Sequence, residues 1–310
     1  MPRVSIITAT YNRPEVLRWA IESVRRQTFT DWEHVIVGDA CDSETEALIR
    51  SFDDPRLRYV NRERNFGEQS GPNNDGLRLA TGELIAYLNH DDLWFADHLA
   101  TLIAARDRLG AELVYAPPIN VDAAGVPTCG ATSAKLRYDP SHFVPASLWL
   151  LTRELAVKLR GWRAARDIHA TNPSQDFLMR AWRKTKFIVC VPHVTALVLA
   201  SGGRPGAYVI RDGSQHAALF ASMADQAFRE QLLTRLALDA SREAARRGAG
   251  IGASANRAAE RVLIAARLHP DAVRNFVMRR PKGHWIDYLR AFRGLAPLPR
   301  EGKKKNEAVD

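Results

Sequence analysis

Two hydrophobic periods alternate along the first 115 residues. The β-branched run "VSIITAT" (4–10) reads as a strand, and Val16, Leu17, Ala20, Ile21 and Val24 then recur at the spacing of one helix face. Asn12 is a candidate cap for that helix, and Pro14 stands near its first position. The alternation repeats: "EHVIVGD" as a strand, "SETEALIRSF" as a helix opened by a Ser43/Glu46 capping box, and "LRYVN" as a strand. "NDGLRLAT" reads as a helix ended near Gly82, "ELIAYLN" as a strand, "WFADHLATLIAARDRLG" as a helix stopped by Gly110, and "ELVYAP" as a strand. Strands alternating with helices predict an α/β fold, a Rossmann-like, mainly parallel sheet flanked by helices on both faces. Ligands of such sheets sit beyond the carboxyl ends of the strands. Asp39 and the pair Asp91/Asp92 fall at such ends, which places them around one crevice.

From about 118 to 200 the pattern is less regular, with a helix over "TRELAVKLRG" and a helix followed by a strand over "SQDFLMRAWRKTKFIVCVP". After about 217 the chain reads as helical and rich in Ala and Arg, interrupted by "GAGIGAS". No strand precedes Gly248-x-Gly250-x-Gly252, so this run reads as a linker and not as a phosphate loop. The expected organisation is a domain over 1–216, with halves 1–115 and 116–216, and a helical, basic C-terminal extension over 217–310.

Composition is that of an ordinary globular chain, with 46% hydrophobic and 25% charged residues. No apolar run approaches the roughly 20 residues of a membrane helix, and "MPRVSIITAT" lacks the apolar core of a signal peptide. Cys41, Cys129 and Cys190 are odd in number and widely spaced, which points to a reducing cytoplasm and away from a zinc site. Residues 241–310 hold 16 Lys and Arg against 7 Asp and Glu, a net of +9 that equals the formal charge of the whole chain. No recognition motif accompanies this charge, so nucleic acid is not the expected partner. The aromatic residues of "HWIDYLRAF" interleaved with arginines fit an anionic membrane surface, and equally a packing helix with a solvated basic face.

In "YLNHDDLW" two adjacent carboxylates follow a buried strand, where like charges repel and resist desolvation. Either they cap a solvated helix start or a cation belongs there. In order, "VSIITATYNRPEVLRWAIESVRRQT", "HVIVGDACDSET", "NFGEQSGPNNDGLRLATGELIAYLNHDD" and "SQDFLMRAWR" resemble the inverting glycosyltransferases of family 2, which have the GT-A fold. The resemblance covers about residues 1–200.

The resemblance implies a nucleotide-sugar donor, most simply UDP-linked, and a glycan or lipid-linked acceptor in bacterial surface polysaccharide synthesis. It implies a divalent metal, Mn²⁺ or Mg²⁺, at the counterpart of the family's DxD motif, here Asn89-His90-Asp91, with Asp92 as a further ligand. Asn89 departs from the usual Asp and removes one negative charge. Asp39 would accept the uracil imide N–H, and Gly38 replaces the family's first Asp. Thr8, Ala9, Tyr11 and Arg13 would pack against the nucleoside, and Asn74 stands where the family often has an Asn. Asp176 would be the general base that deprotonates the acceptor hydroxyl. His193 and His216 are weaker candidates for donor-phosphate contacts. A nucleotidyltransferase would want a Gly-rich basic signature after the first strand, which "TATYNRP" lacks. A binder without turnover is the alternative raised by Asn89 and Gly38. The location implied is the cytoplasm, peripherally on the inner face of the membrane, with removal of residues from about 282 onward expected to leave donor hydrolysis intact.

Overall fold

The computed structural model describes all residues except 131, 134, 170–171, 186, 200–204, 247–259 and 299–310. The Gly248–Gly252 run and most of the final polar tail lie outside the described residues. The apolar runs of the N-terminal part form β1 (Val4–Thr10), α1 (Pro14–Arg25), β2 (Trp32–Gly38), α2 (Ser43–Arg50), β3 (Leu57–Asn61), α3 (Ser70–Leu79) and β4 (Leu84–Tyr87). There follow β5 (Leu93–Trp94), α4 (His98–Leu109), β6 (Leu113–Tyr115), β7 (Ile119–Val121), β8 (Pro127–Cys129), β9 (Trp149–Thr152), α5 (Arg153–Lys158), α6 (Pro173–Thr185), β10 (Ile188–Cys190) and β11 (Ala196–Leu199). The rest is helical: α7 (Ala207–Ile210), α8 (Ser214–Ser222), α9 (Gln226–Arg246), α10 over 260–265, α11 (Pro270–Val277) and α12 (His284–Phe292).

The main sheet has seven strands in the order β10-β6-β9-β4-β1-β2-β3. All neighbours run parallel except β9, which is antiparallel to β4 and β6. β1 is the hinge of the order: β2 and β3 lie on one side and β4 on the other, so the chain reverses direction across the sheet beside β1. Such a reversal opens a crevice at the strand ends. β1 and β4 are buried on both faces, which is why they read as continuous apolar runs without alternation.

The register expected for α1 is the one seen, with Val16, Leu17, Ala20, Ile21 and Val24 buried. Its cap is different. Arg13 occupies the N-cap, and Asn12, at φ +43°, turns its side-chain oxygen to accept from the Asp42 amide. α2 is likewise capped by Asp42, whose carboxylate accepts from the Thr45 amide, and not by a Ser43/Glu46 box. Trp94, expected to open the helix that Gly110 ends, instead lies with Leu93 in β5 and pairs with β11 in a second sheet of order β5-β11-β7-β8. That helix starts only at His98 and ends at Gly110 with φ +59°, a left-handed conformation that glycine adopts without strain.

Tyr87, Trp149, Trp162 and Phe177 form one aromatic cluster behind the strand ends, with Tyr87 and Trp162 edge-on at 4.9 Å between ring centres. Such pairs contribute about 0.5–1.5 kcal/mol each beyond burial, and here they fix the base of α6 against the sheet. The helices beyond residue 216 are not a detached extension. Phe220, Leu232 and Leu236 pack with Leu93, Ile119 and Leu197 into the core of the second sheet. Among the described residues no helix is long and apolar enough to cross a membrane.

Candidate functional site

A cavity of about 550 Å³ opens at the carboxyl ends of β1, β2 and β4. Its floor is Ala9, Thr10 and Tyr11 after β1, Asp39 after β2, and Asn89, His90 and Asp91 after β4. Asn65, Gly67, Glu68 and Gln69 form one side, Phe143, Pro145, Ala146, Asn172 and Ser174 another, and Tyr208 with α12 the roof. The spacing of the two acidic strand ends in the sequence therefore does lead to one crevice.

The paired carboxylates divide. Asp91 lies in the cavity wall with one oxygen 3.6 Å from an Arg13 guanidinium nitrogen. Arg13 is buried and does not line the cavity itself; it sits beneath Asp91 and over the Tyr208 ring, 5.2 Å from its centre. His216 Nε2 stands 3.1 Å from the Asp91 carbonyl oxygen and positions the backbone. Asp92, expected as a second metal ligand, faces the other way. It is 1% exposed, and its carboxylate accepts from Ser147 Oγ at 2.5 Å, Asn89 Nδ2 at 2.9 Å and the Leu199 amide at 2.9 Å. Burial first, then the charge of Asp91, pushes its carboxyl up, while these three donors pull it down. With its oxygens committed to three donors, Asp92 ties the turn after β4 to β11 and to the segment before β9.

Asp39 is buried at the cavity edge, and its carboxylate accepts from the Phe66 amide at 2.7 Å and the Gly67 amide at 2.9 Å. Arg62 lies 3.4 Å away. Burial raises its carboxyl and the two amides with Arg62 oppose this. Asp39 therefore also holds the 65–69 loop. At Gly38, where the resemblance leads one to expect an acid, a Cβ would stand 2.5 Å from both Asn61 Oδ1 and Tyr59 Oη, so these side chains would have to move to admit one. Asn61 instead clamps the following turn, accepting from the Cys41 amide and donating to the Cys41 carbonyl.

Four other expected residues make their contacts within the fold. Thr8 is fully buried inside the sheet, its Oγ1 2.8 Å from His34 Nε2, and does not reach the cavity; Thr10, one strand period on, does. Asn74 points away and clamps the Trp162 backbone, donating to its carbonyl at 2.9 Å and accepting from its amide at 2.8 Å. Asp176 stands two residues past the cavity-lining Ser174, but its carboxylate is turned to Arg180 Nε at 2.7 Å and Arg163 at 3.6 Å. Arg180 also donates to the Leu159 and Gly161 carbonyls, so this ion pair locks α6 to the turn after α5. His193 pairs with Asp97 and Arg229, away from the cavity.

Sequence reasoning missed Glu68, Tyr208 and the residues of α12. In α12 the signal was present, since Ile286, Leu289, Arg290 and Arg293 recur at helical spacing, but spacing does not say which surface that face covers.

Among the described residues no three His, Cys, Asp or Glu side chains cluster in a way that could hold a metal ion. The cavity's carboxylates are Asp39, Glu68 and Asp91; the first two hold backbone amides, and Asp91 fits the mode in which Mg²⁺ or a similar ion takes one or two protein carboxylates and fills its shell with substrate phosphates and water. This set does not fit an all-protein metal cage.

Residues 5–143 match the profile of the family described as "Glycosyl transferase family 2". Curated relatives include the GalNAc(5)-diNAcBac-PP-undecaprenol beta-1,3-glucosyltransferase of Campylobacter jejuni, 32% identical over 105 residues that cover 33% of this chain and 34% of that one. The UDP-Glc:alpha-D-GlcNAc-diphosphoundecaprenol beta-1,3-glucosyltransferase WfgD of Escherichia coli is 34% identical over 112 residues, 36% of this chain and 44% of that one. The chain thus matches less than half the length of these relatives. Among solved structures, S. aureus TarS 1-349 in complex with UDP-GlcNAc superposes with a TM-score of 0.56 at 17% identity, covering 76% of this chain and 71% of that one. The mannosyltransferase PcManGT from Pyrobaculum calidifontis, in complex with GDP-Man and Mn²⁺, gives 0.52 at 20% identity over 93% of this chain and 85% of that one. These likenesses establish the fold, an α/β sheet of GT-A type.

Proposed function

We propose, on the match of residues 5–143 to glycosyl transferase family 2, that the chain is a metal-dependent, inverting glycosyltransferase. In this reading it moves a sugar from a UDP-linked donor to a lipid-linked glycan hydroxyl in bacterial surface polysaccharide synthesis. The observation that carries it is the cavity at the β1/β2/β4 strand ends, with Asp39 and Asp91 in one wall. The donor half is 1–115 and the acceptor half 116–216. The TarS and PcManGT complexes support a nucleotide-sugar donor, and the relatives named for undecaprenol diphosphates support the lipid-linked acceptor.

Asp91 would hold the divalent ion, Mn²⁺ or Mg²⁺, together with the donor's diphosphate; bound there, the ion neutralises charge on the leaving phosphate. Asp39 orients the base by accepting its imide N–H with lone pairs that the two loop amides leave available. Ala9 and Tyr11 flank the base. Asp176 takes the proton from the acceptor hydroxyl after releasing Arg180, from the side of the cavity where Asn172 and Ser174 lie. The enzyme works in the cytoplasm on the inner membrane face. Phe276, Val277, Met278 and Tyr288 are exposed next to the exposed Arg279, Arg280 and Lys282, an apolar and cationic surface suited to anionic lipid.

The engagement of Asp176 by Arg180 and Arg163 favours a second reading, a nucleotide-sugar binder without turnover. A panel of UDP-sugars incubated with Mn²⁺ separates the two by release of UDP. Asp176→Asn should then leave UDP affinity unchanged and lower transfer by about 10²-fold or more, beyond any loss of stability that thermal unfolding of the same sample shows for the weakened Arg180 pair. Transfer at the wild-type rate would make Asp176 a clamp of α6 only.

A further inference from the structure

The roof of the cavity is made by residues beyond the family match, which ends at 143. α12 turns Ile286, Leu289, Arg290 and Arg293 to it along one helix face. Arg290 is 8% exposed; its Nε donates to the Ala296 carbonyl at 2.7 Å and its Nη1 to the Gly67 carbonyl. Gly67 sits at φ +92°, and a Cβ there would meet Leu298 and Arg290, so only glycine allows the helix to seat on this loop. The amide of the same Gly67 donates to Asp39. The acid at the end of β2 and the C-terminal helix are therefore joined through one residue. The guanidinium of Arg293 lies 6.0 Å from the centre of the Tyr208 ring, which carries Arg13 at 5.2 Å.

The charges in the wall state a requirement. Asp39, Glu68 and Asp91 are its carboxylates, and Arg290 and Arg293 are its guanidiniums among the described residues. A nucleoside diphosphate entering between three carboxylates needs cations besides a single metal ion, and planar guanidinium groups pair well with phosphate oxygens. We infer that α12 completes the donor site, with Arg293 contacting the donor diphosphate and Arg290 a positioning residue that ties the helix to Gly67. This rests on the reading of the cavity as a nucleotide-sugar site. It also reverses the expectation that residues beyond 282 are dispensable for donor hydrolysis.

The test measures binding of UDP and of uridine, with Mn²⁺, to the full-length wild type, Arg293→Gln and Arg293→Lys, with thermal unfolding on the same samples. Arg293→Gln should weaken UDP about tenfold or more and leave uridine within about twofold, as expected for loss of a charge-assisted bond to phosphate. Arg293→Lys should recover part of the loss, and all three proteins should unfold at the same temperature. Unchanged UDP affinity in Arg293→Gln overturns the inference while the wild-type affinity still upholds the functional reading. An equal loss for UDP and uridine overturns it too, because Arg293 would then act on cavity shape. If the wild type does not bind UDP, the functional reading itself falls and the inference with it.

Discussion

Replacing Asp92 by Ala should damage the fold, whereas replacing Asp91 by Asn should damage metal-assisted donor binding. The Asp92 carboxylate is buried and accepts from Ser147 Oγ, Asn89 Nδ2 and the Leu199 amide. Deleting it leaves three donors without their acceptor inside the protein. An unsatisfied buried group costs about 1–3 kcal/mol, and since the donors left behind are neutral this hydrogen-bond figure is the measure here. At about 2.1 cal/mol/K of unfolding entropy per residue, this lowers the unfolding temperature of a chain of this length by about 2–5 °C. Asp91→Asn keeps an oxygen near Arg13 and should shift unfolding little, while Mn²⁺-assisted UDP affinity falls about tenfold or more. Differential scanning calorimetry and isothermal titration with UDP, with and without Mn²⁺, read both quantities. An Asp92→Ala protein that melts with the wild type but loses Mn²⁺-assisted UDP binding would refute the reasoning and return Asp92 to the metal.

Asp39→Ala should weaken UDP more than inorganic pyrophosphate in parallel titrations, by about 10-fold or more, since a charge-assisted hydrogen bond to the base is lost; equal weakening would mean that Asp39 acts through the Phe66–Gly67 loop alone. His34 and His98 are buried and held neutral, their imidazoles pushed down to about 3, above all by desolvation. Each binds a proton in the unfolded chain below about pH 6.5 but not in the folded one, so stability is full above that pH and falls as pH drops toward 3, by up to about 1.4 kcal/mol per pH unit for each group. Urea titrations at pH 7, 6, 5 and 4 should show this slope, and a His34→Gln protein as acid-sensitive as the wild type would remove His34 from the account. Replacing Phe276 and Met278 together by Ser should reduce sedimentation with anionic vesicles at low salt and leave unfolding unchanged; undiminished sedimentation would place the membrane contact elsewhere.

The first half of the fold was legible because β1, β2 and β4 are buried on both faces and helices such as α1 on one, so these elements carried their own periods. β9 was not, since "WLLT" is a short apolar run whose direction in the sheet no local pattern encodes. Capping residues were misplaced for a related reason. Asn12 and Ser43 have the right chemistry, but Asp42 is held by Asn12 across the turn, a contact between segments 30 residues apart. The acidic residues of the site were found as strand-end residues, and their division was invisible, because it depends on Ser147 and the Leu199 amide, which approach from other elements. Thr8 and Thr10 show the limit of pattern in one strand: they share a face, yet Thr8 lies within the sheet against His34 and only Thr10 stands at its edge.

The adjacent carboxylates after β4 thus resolve their repulsion by division of labour. Asp91 sits where a cation can approach, with Arg13 beneath it, while Asp92 is surrounded by donors. Asn89, the departure from the acidic triplet, donates to Asp92 through its side chain, and an Asp at that position would put a third carboxylate against the second. The amide therefore removes one charge from the metal side and, by the same contact, satisfies the buried acid that holds the turn. His216 completes this support at the Asp91 carbonyl. A single outward carboxylate leaves much of the charge of a bound diphosphate to be met from elsewhere, and the guanidiniums that face the cavity come from α12. Under the proposed reading, the amide at Asn89 weakens the hold on the ion, and Arg293, brought in by the seating of α12 on Gly67, supplies positive charge to the diphosphate in compensation.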